Sequence, residues 1–277
     1  MDSNSVHLLE QQLFLTFIKG LLDSKHVSST HTEKLQVLEV GCGHAYFFEL
    51  LTSQFSNRLS VTGIDRHKEG IDAGEKRLGT RLGDHRLIQS SFLDFEPQQK
   101  EAYDVIIFTK SLHHCPPLDV TIERVYNLLK PHGLLIAEEI ARIPTGETWL
   151  FDRMEILYAA DLLKSNRPHQ LEQVIKSSDK PPMERWAMLF GHHGHDHQHE
   201  PLATMEDILI SINAKFGASN VRQHGNLPFY YHFFAFAGLT DTPLGANILT
   251  TLIAQEDKAI RDGKLTGQGI IVVAEKL

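Results

Sequence analysis

The chain has 277 residues, 42% of them hydrophobic and 22% charged, a balance that supports a buried core in one large domain or one domain with an elaborated end. A formal net charge of −8 argues against a nucleic-acid groove, where clustered Lys and Arg must neutralise phosphates. Only two cysteines, Cys42 and Cys115, are present, which argues against a disulfide framework and fits a reducing, cytoplasmic setting.

In chain order, Leu8, Leu9, Leu13, Phe17 and Leu21 recur at helical spacing and predict an amphipathic N-terminal helix. This segment lacks the basic start and small-residue cleavage site of a signal peptide. No stretch reaches the roughly 18 apolar residues of a membrane span, so no membrane partner is expected. Short, apolar, β-branched runs then predict strands at 35–40, 59–64, 86–90, 103–108 and 133–138. Helices are predicted between them near 44–55, 67–81 and 118–129. Alternation of this kind implies βαβ units around a parallel sheet.

Beyond residue 140 the pattern changes. A helix is predicted over 144–165, a polar excursion over 166–201, a helix over 203–216 and a strand over 219–224. An aromatic cluster follows at 228–237, then a helix over 245–262 and a closing strand over 268–275. Trp149, Phe151, Met154, Tyr158, Phe229, Tyr230, Tyr231 and Phe233 offer apolar surface for a small-molecule pocket, although core packing is the simpler use for most of them. The excursion contains a histidine-rich run at 192–199, for which a solvated loop is preferred over a metal site because it has no cysteines and no rigid frame.

The most informative stretch is Val37-Leu38-Glu39-Val40-Gly41-Cys42-Gly43-His44-Ala45-Tyr46. It reads as a buried strand with an acid near its end, a glycine turn, and a helix whose first N–H groups face a ligand. A dinucleotide fingerprint needs a very small sixth residue, and Tyr46 stands there, which disfavours a nicotinamide cofactor. Asp65 closes the second strand and also precedes a helix, so it can act as an N-cap as well as a ligand. After the fourth strand come Thr109-Lys110-Ser111-Leu112-His113-His114, and then Leu129-Lys130-Pro131-His132-Gly133, which reads as a turn before the fifth strand.

Taken in order, and with Gln89-Ser90-Ser91-Phe92 after the third strand as a fifth, these pieces resemble the class I S-adenosylmethionine-dependent methyltransferases of the small-molecule, UbiE-like type. The spacing Glu39-x-Gly41-x-Gly43-x-Ala45 is similar to the family's first motif, with Ala45 in place of a glycine. The resemblance implies a Rossmann-like, doubly wound α/β fold: a seven-stranded, mostly parallel sheet with an antiparallel last strand, plus a helical cap. It implies one methyltransferase domain over 1–277, a cofactor-binding core at 35–140, and helical substrate-side elements within 144–265.

The implied cofactor is S-adenosyl-L-methionine, held by Glu39, Gly41, Cys42, Gly43, Asp65, Arg66, Ser91, Phe92 and Thr109. Asp65 would bond both ribose hydroxyls, since a carboxylate offers two acceptor oxygens. Ser91 stands where Asp is common, and Phe92 can cover the adenine ring. His113, with His114 as second choice, is the expected base or acceptor-orienting group, because imidazole titrates near neutrality. Structural roles for both histidines are equally open. Neither [N/D]-P-P-[F/Y] nor a Pro-Cys nucleophile is present, and no clear carboxylate set accompanies Asp119, so metal-independent chemistry is expected. The expected activity is methyl transfer to a small molecule, at oxygen. The alternatives are a nucleotide-dependent oxidoreductase, a non-catalytic methyltransferase-fold partner, and a protein methyltransferase.

Overall fold

The structure is a computed structural model that describes residues 11–26, 34–97, 101–141, 148–163, 168–190, 203–239 and 243–277. The chain divides into two compact units. One comprises Gln11–Glu139, Pro201–His224 and Ile270–Leu277, and the other Met1–Glu10, Ile140–Glu200 and Gly225–Gly269.

The first unit is built on a seven-stranded sheet in the order β3-β2-β1-β4-β5-β7-β6. Its strands are β1 (Leu35–Val40), β2 (Leu59–Asp65), β3 (Arg86–Gln89), β4 (Tyr103–Thr109), β5 (Leu129–Ile140), β6 (Val221–Leu227) and β7 (Gly269–Glu275). Strands β3, β2, β1, β4 and β5 are parallel neighbours. At the start of β5, His132 donates its N–H to Lys276, and at its end Ala141 donates to Gln268, so β7 runs antiparallel to β5. The central strands are apolar on both faces because helices cover both. These helices are α1 (Gln12–His26), α2 (Tyr46–Gln54), α3 (Lys68–Leu78), α4 (Leu118–Leu128) and α8 (Met205–Phe216). The expected Rossmann-like fold with an antiparallel last strand is the fold observed.

Three local expectations change. Helix α1 exists, but it buries Phe14, Leu15, Ile18 and Leu22, whereas Leu13 is 43% exposed. The stripe read from the sequence leaned on Leu8 and Leu9, which lie outside the described residues, and so selected the wrong face. Strand β5 is longer than expected. Its register against β4 jumps from Tyr103↔Leu129 to Val105↔Leu134. Lys130-Pro131-His132-Gly133 is therefore a bulge within the strand, not a turn before it. His132 has φ +61°, the conformation for which a glycine at that position is suited. Asp65 does not cap α3: its Oδ1 accepts the N–H of His67, one residue before the helix begins.

The second unit contains helices α5 (Trp149–Ala159), α6 (Pro168–Lys176), α7 (Pro182–Phe190), α9 (Tyr230–Phe236) and α10 (Pro243–Arg261). Its core is aromatic. The fully buried Trp186 meets Phe151, Tyr230 and Phe233 with centroids 5.2–5.8 Å apart. The aromatic run of the sequence is thus a helix packed into this core. Buried Glu256 on α10 accepts the N–H groups of Phe229, Tyr230 and Tyr231, satisfying the bare donors at the start of α9. Helices α6 and α7 were read as polar excursion because their apolar faces are short and separated by prolines. The histidine run at 192–199 lies outside the described residues.

Candidate functional site

The tips of β1, β2 and β4 meet around the glycine turn. Gly41 has φ +74° and Gly43 has φ +50°, left-handed values that a side chain strains. The two glycines are needed for different reasons. A Cβ on Gly41 would stand 2.5 Å from Ser111 Cβ, whereas one on Gly43 would meet no atom within 4 Å. Gly41 therefore makes room for the β4 loop, and Gly43 leaves open the space where its Cβ would stand, while its carbonyl packs against Gly70. Ser111 is locked in place by donating its hydroxyl to the Val40 carbonyl at 2.6 Å. Gly41→Ala is expected to destabilise the fold by about 2–4 kcal/mol, combining left-handed strain with overpacking. Urea unfolding measures this, and an unchanged midpoint would refute the packing role. Ala45 also sits at φ +59°, so the position is one for which glycine is favoured, and α2 starts at Tyr46 instead of 44.

Register alignment places Glu39 beside Gly63 and Ile107, and Thr109 beside Glu138. With side chains alternating along each strand, Glu39, Asp65, Thr109 and Glu138 share one face at the strand ends. Glu39 is only 1% exposed, and its Oε2 has no hydrogen-bond partner. Burial, and secondly the charge of Asp65, push its carboxyl up to about 8. The buried Thr109 hydroxyl is likewise without a partner. Asp65 is buried, and it is held by Gly43 N–H on Oδ2 at 2.8 Å and His67 N–H on Oδ1 at 2.8 Å. Oδ1 also lies 3.0 Å from the His67 ring at Nδ1, whereas Oδ2 keeps a second lone-pair direction for another donor.

Other expected site residues serve the frame. Cys42 is buried, with its Sγ 3.2 Å from where a Gly63 Cβ would stand, so the thiol fills the sheet face and only its backbone belongs to the turn. The Ser91 hydroxyl is tied to Asp94 at 2.6 Å in a local turn. Phe92 is buried edge-on to Phe108 with Arg124 over its ring, so its aromatic face is engaged in packing. Arg66 is exposed just beyond Asp65. Cys115 is half-buried, and burial pushes its thiol up to about 12, which removes it as a nucleophile near neutrality.

His113 and His114 lie in a short 3₁₀ turn after β4, with ring centroids 4.1 Å apart. His113 Nδ1 lies 2.6 Å from Oε2 of Glu139, at the end of β5. Glu139 was not singled out from the sequence, where it reads as one of two acids closing an apolar strand. Its neighbour Glu138 pairs with Lys110 at 2.6 Å. Among the described residues, no group of three or more His, Cys, Asp or Glu is arranged to hold a metal ion.

The strand order, the antiparallel β7 and a glycine turn at the tip of β1 define a nucleoside-binding Rossmann-like scaffold of the class I methyltransferase kind. A family model described as "Methyltransferase domain" matches residues 31–198, more than half of the chain, and the chain belongs to that family. Its cofactor is S-adenosyl-L-methionine. The chain is 30% identical over 149 residues to the ubiquinone biosynthesis O-methyltransferase of Vibrio atlanticus, covering 52% of this chain and 58% of that one. It is 27% identical over 162 residues to the protein of the same name from Rickettsia typhi, covering 58% and 63%. The chain thus spans about six tenths of the length of these curated relatives. Among solved structures, the geranyl diphosphate C-methyltransferase of Streptomyces coelicolor A3(2) shares the fold. Its TM-score is 0.52 at 14% identity, over 96% of this chain and 80% of that one. No helix among the described residues is long and apolar enough to cross a membrane.

Proposed function

We propose that this protein transfers a methyl group from S-adenosyl-L-methionine to a hydroxyl of a small molecule. The observation that carries the cofactor assignment is the open space at Gly43 beside the anchored carboxylate of Asp65, with two buried polar atoms without partners, Glu39 Oε2 and Thr109 Oγ1, on the same face at the neighbouring strand ends. Buried polar atoms are rarely left unpaired, so such a pair at strand tips suits a polar ligand. Asp65 would take the ribose hydroxyls, Gly41 and Gly43 would let the backbone approach, and Glu39 and Thr109 would face the polar end of the ligand. Arg66 and the Ser91 backbone would flank the base, with Phe92 as packing behind it.

The cofactor supplies a methyl already activated by a positively charged sulfur. The chain therefore has to hold the acceptor in line, exclude water and receive a proton. His113 is the residue proposed to receive it, with the His114 ring tilted beside it. Choice of oxygen rests on this histidine and is supported by the similarity to the ubiquinone biosynthesis O-methyltransferases.

Calorimetric titration with S-adenosylhomocysteine tests the reading, with NAD as control. Glu39 is protonated below about 8 in the free protein, and a ligand ammonium group would favour its ionised form. Binding near pH 7 should therefore release up to one proton, read from the dependence of heat on buffer ionisation. The release should vanish as pH rises above about 9, where Glu39 is already ionised. Heat with NAD but none with S-adenosylhomocysteine would overturn the proposal.

A further inference from the structure

Glu139 is 1% exposed, and its two carboxylate oxygens are used differently. Oε1 accepts the backbone N–H groups of Leu112 at 2.9 Å and His113 at 3.3 Å. Oε2 faces the His113 ring at Nδ1, 2.6 Å away. The two backbone bonds would be enough to tie the loop after β4 to the end of β5. The third contact adds something a loop tie does not need: it selects one ring nitrogen.

Taking methyl transfer to oxygen as the reaction, as proposed above, we infer that Glu139 is a positioning residue that fixes His113 in the tautomer protonated at Nδ1, leaving the Nε2 lone pair to receive the acceptor's hydroxyl proton. A carboxylate only accepts, so a contact this short needs the hydrogen on Nδ1. Neutral imidazole carries one N–H, so Nε2 is then the acceptor nitrogen. Burial keeps water from competing for Oε2, and the backbone donors on Oε1 stop the carboxylate from turning.

The step balances. The acceptor O–H bond breaks and its proton goes to His113 Nε2. The oxygen forms its bond to the methyl carbon as the carbon–sulfur bond breaks, and that electron pair stays on sulfur. The positive charge lost by sulfur appears as imidazolium, directly against the Glu139 carboxylate. His113 keeps 20% of its side chain exposed, which leaves a route for the proton to reach solvent. The arrangement is one in which a buried acid orients and charge-balances a histidine that does the proton transfer.

Glu139→Gln separates this role from a loop tie. The two backbone donors claim the amide oxygen, so the amide NH₂ is turned to Nδ1 and can only donate there. The variant should keep its fold and its affinity for S-adenosylhomocysteine within about twofold, while the His113 tautomer inverts. Long-range ¹H–¹⁵N spectra of protein labelled at histidine, recorded where the imidazoles are neutral, read this directly, with the His113 signals assigned by their loss in His113→Gln. The lone-pair nitrogen signal should belong to Nε2 in the parent and to Nδ1 in Glu139→Gln. A parent spectrum with the proton on Nε2 would overturn the inference whether or not the variant folds, and so would a folded variant with an unchanged tautomer. Failure of the parent to bind S-adenosylhomocysteine would instead strike at the cofactor reading.

Discussion

Asp65→Ala is expected to weaken S-adenosylhomocysteine binding by about 1–3 kcal/mol, roughly five- to 150-fold, the cost of losing charge-assisted hydrogen bonds. The loss has two sources. The proposed bonds to the ribose hydroxyls disappear. The Gly43 and His67 N–H groups that Asp65 now anchors are also released, so the turn is no longer held open in one shape. Asp65→Asn should fall between parent and alanine variant, because an amide keeps the bulk and one acceptor oxygen but cannot serve donors on both sides. Calorimetry on folded protein decides the matter, and an unchanged affinity in Asp65→Ala would remove the carboxylate from the cofactor site.

His113→Gln is expected to lower kcat by about 10²–10⁴-fold while leaving S-adenosylhomocysteine affinity nearly intact, the usual range for removing a positioned proton acceptor. Glutamine retains a polar side chain of similar reach but has no nitrogen able to take a proton near neutrality. Turnover can be followed as S-adenosylhomocysteine release with an acceptor found by screening a cell extract for methylated products. An unaltered rate would eliminate His113 as the base and would favour chemistry that needs only proximity and in-line alignment.

The parts of the fold that were legible in the sequence are those fixed by local chemistry. The apolar runs of β1, β2 and β4 can only be buried strands, and Gly41 and Gly43 announce their turn because no other residue adopts those dihedrals freely. What escaped is what depends on residues distant in the chain. Glu139 becomes informative only when β5 lies beside β4, which brings it to a loop 26 positions earlier. The bulge at 130–133 was read as a turn because Pro131 and Gly133 signal both, and only the register against β4 tells them apart. Helix α1 was given the wrong face because Leu13 and Phe14 are equally apolar, and tertiary contacts decide between them. Phe92 looked like a ring cover for the same reason: its hydrophobicity was visible, but its partners Phe108 and Arg124 were not.

The same distinction applies to the site. The positive φ of Gly41 and Gly43 was legible directly, because a turn of this kind requires glycine there. Glu39 and Thr109 were expected there by position in the motifs, but that Glu39 Oε2 and the Thr109 hydroxyl are buried without a partner is visible only once burial and hydrogen bonding are known.

A crystal structure of the chain with S-adenosylhomocysteine bears most directly on the central claim. The nucleoside is predicted to lie across the tip of β1, with its sugar hydroxyls within hydrogen-bond distance of the Asp65 carboxylate and its chain passing over Gly43. Nucleoside bound elsewhere, or a saturated crystal with the ground above Gly43 bare of it, would contradict the account.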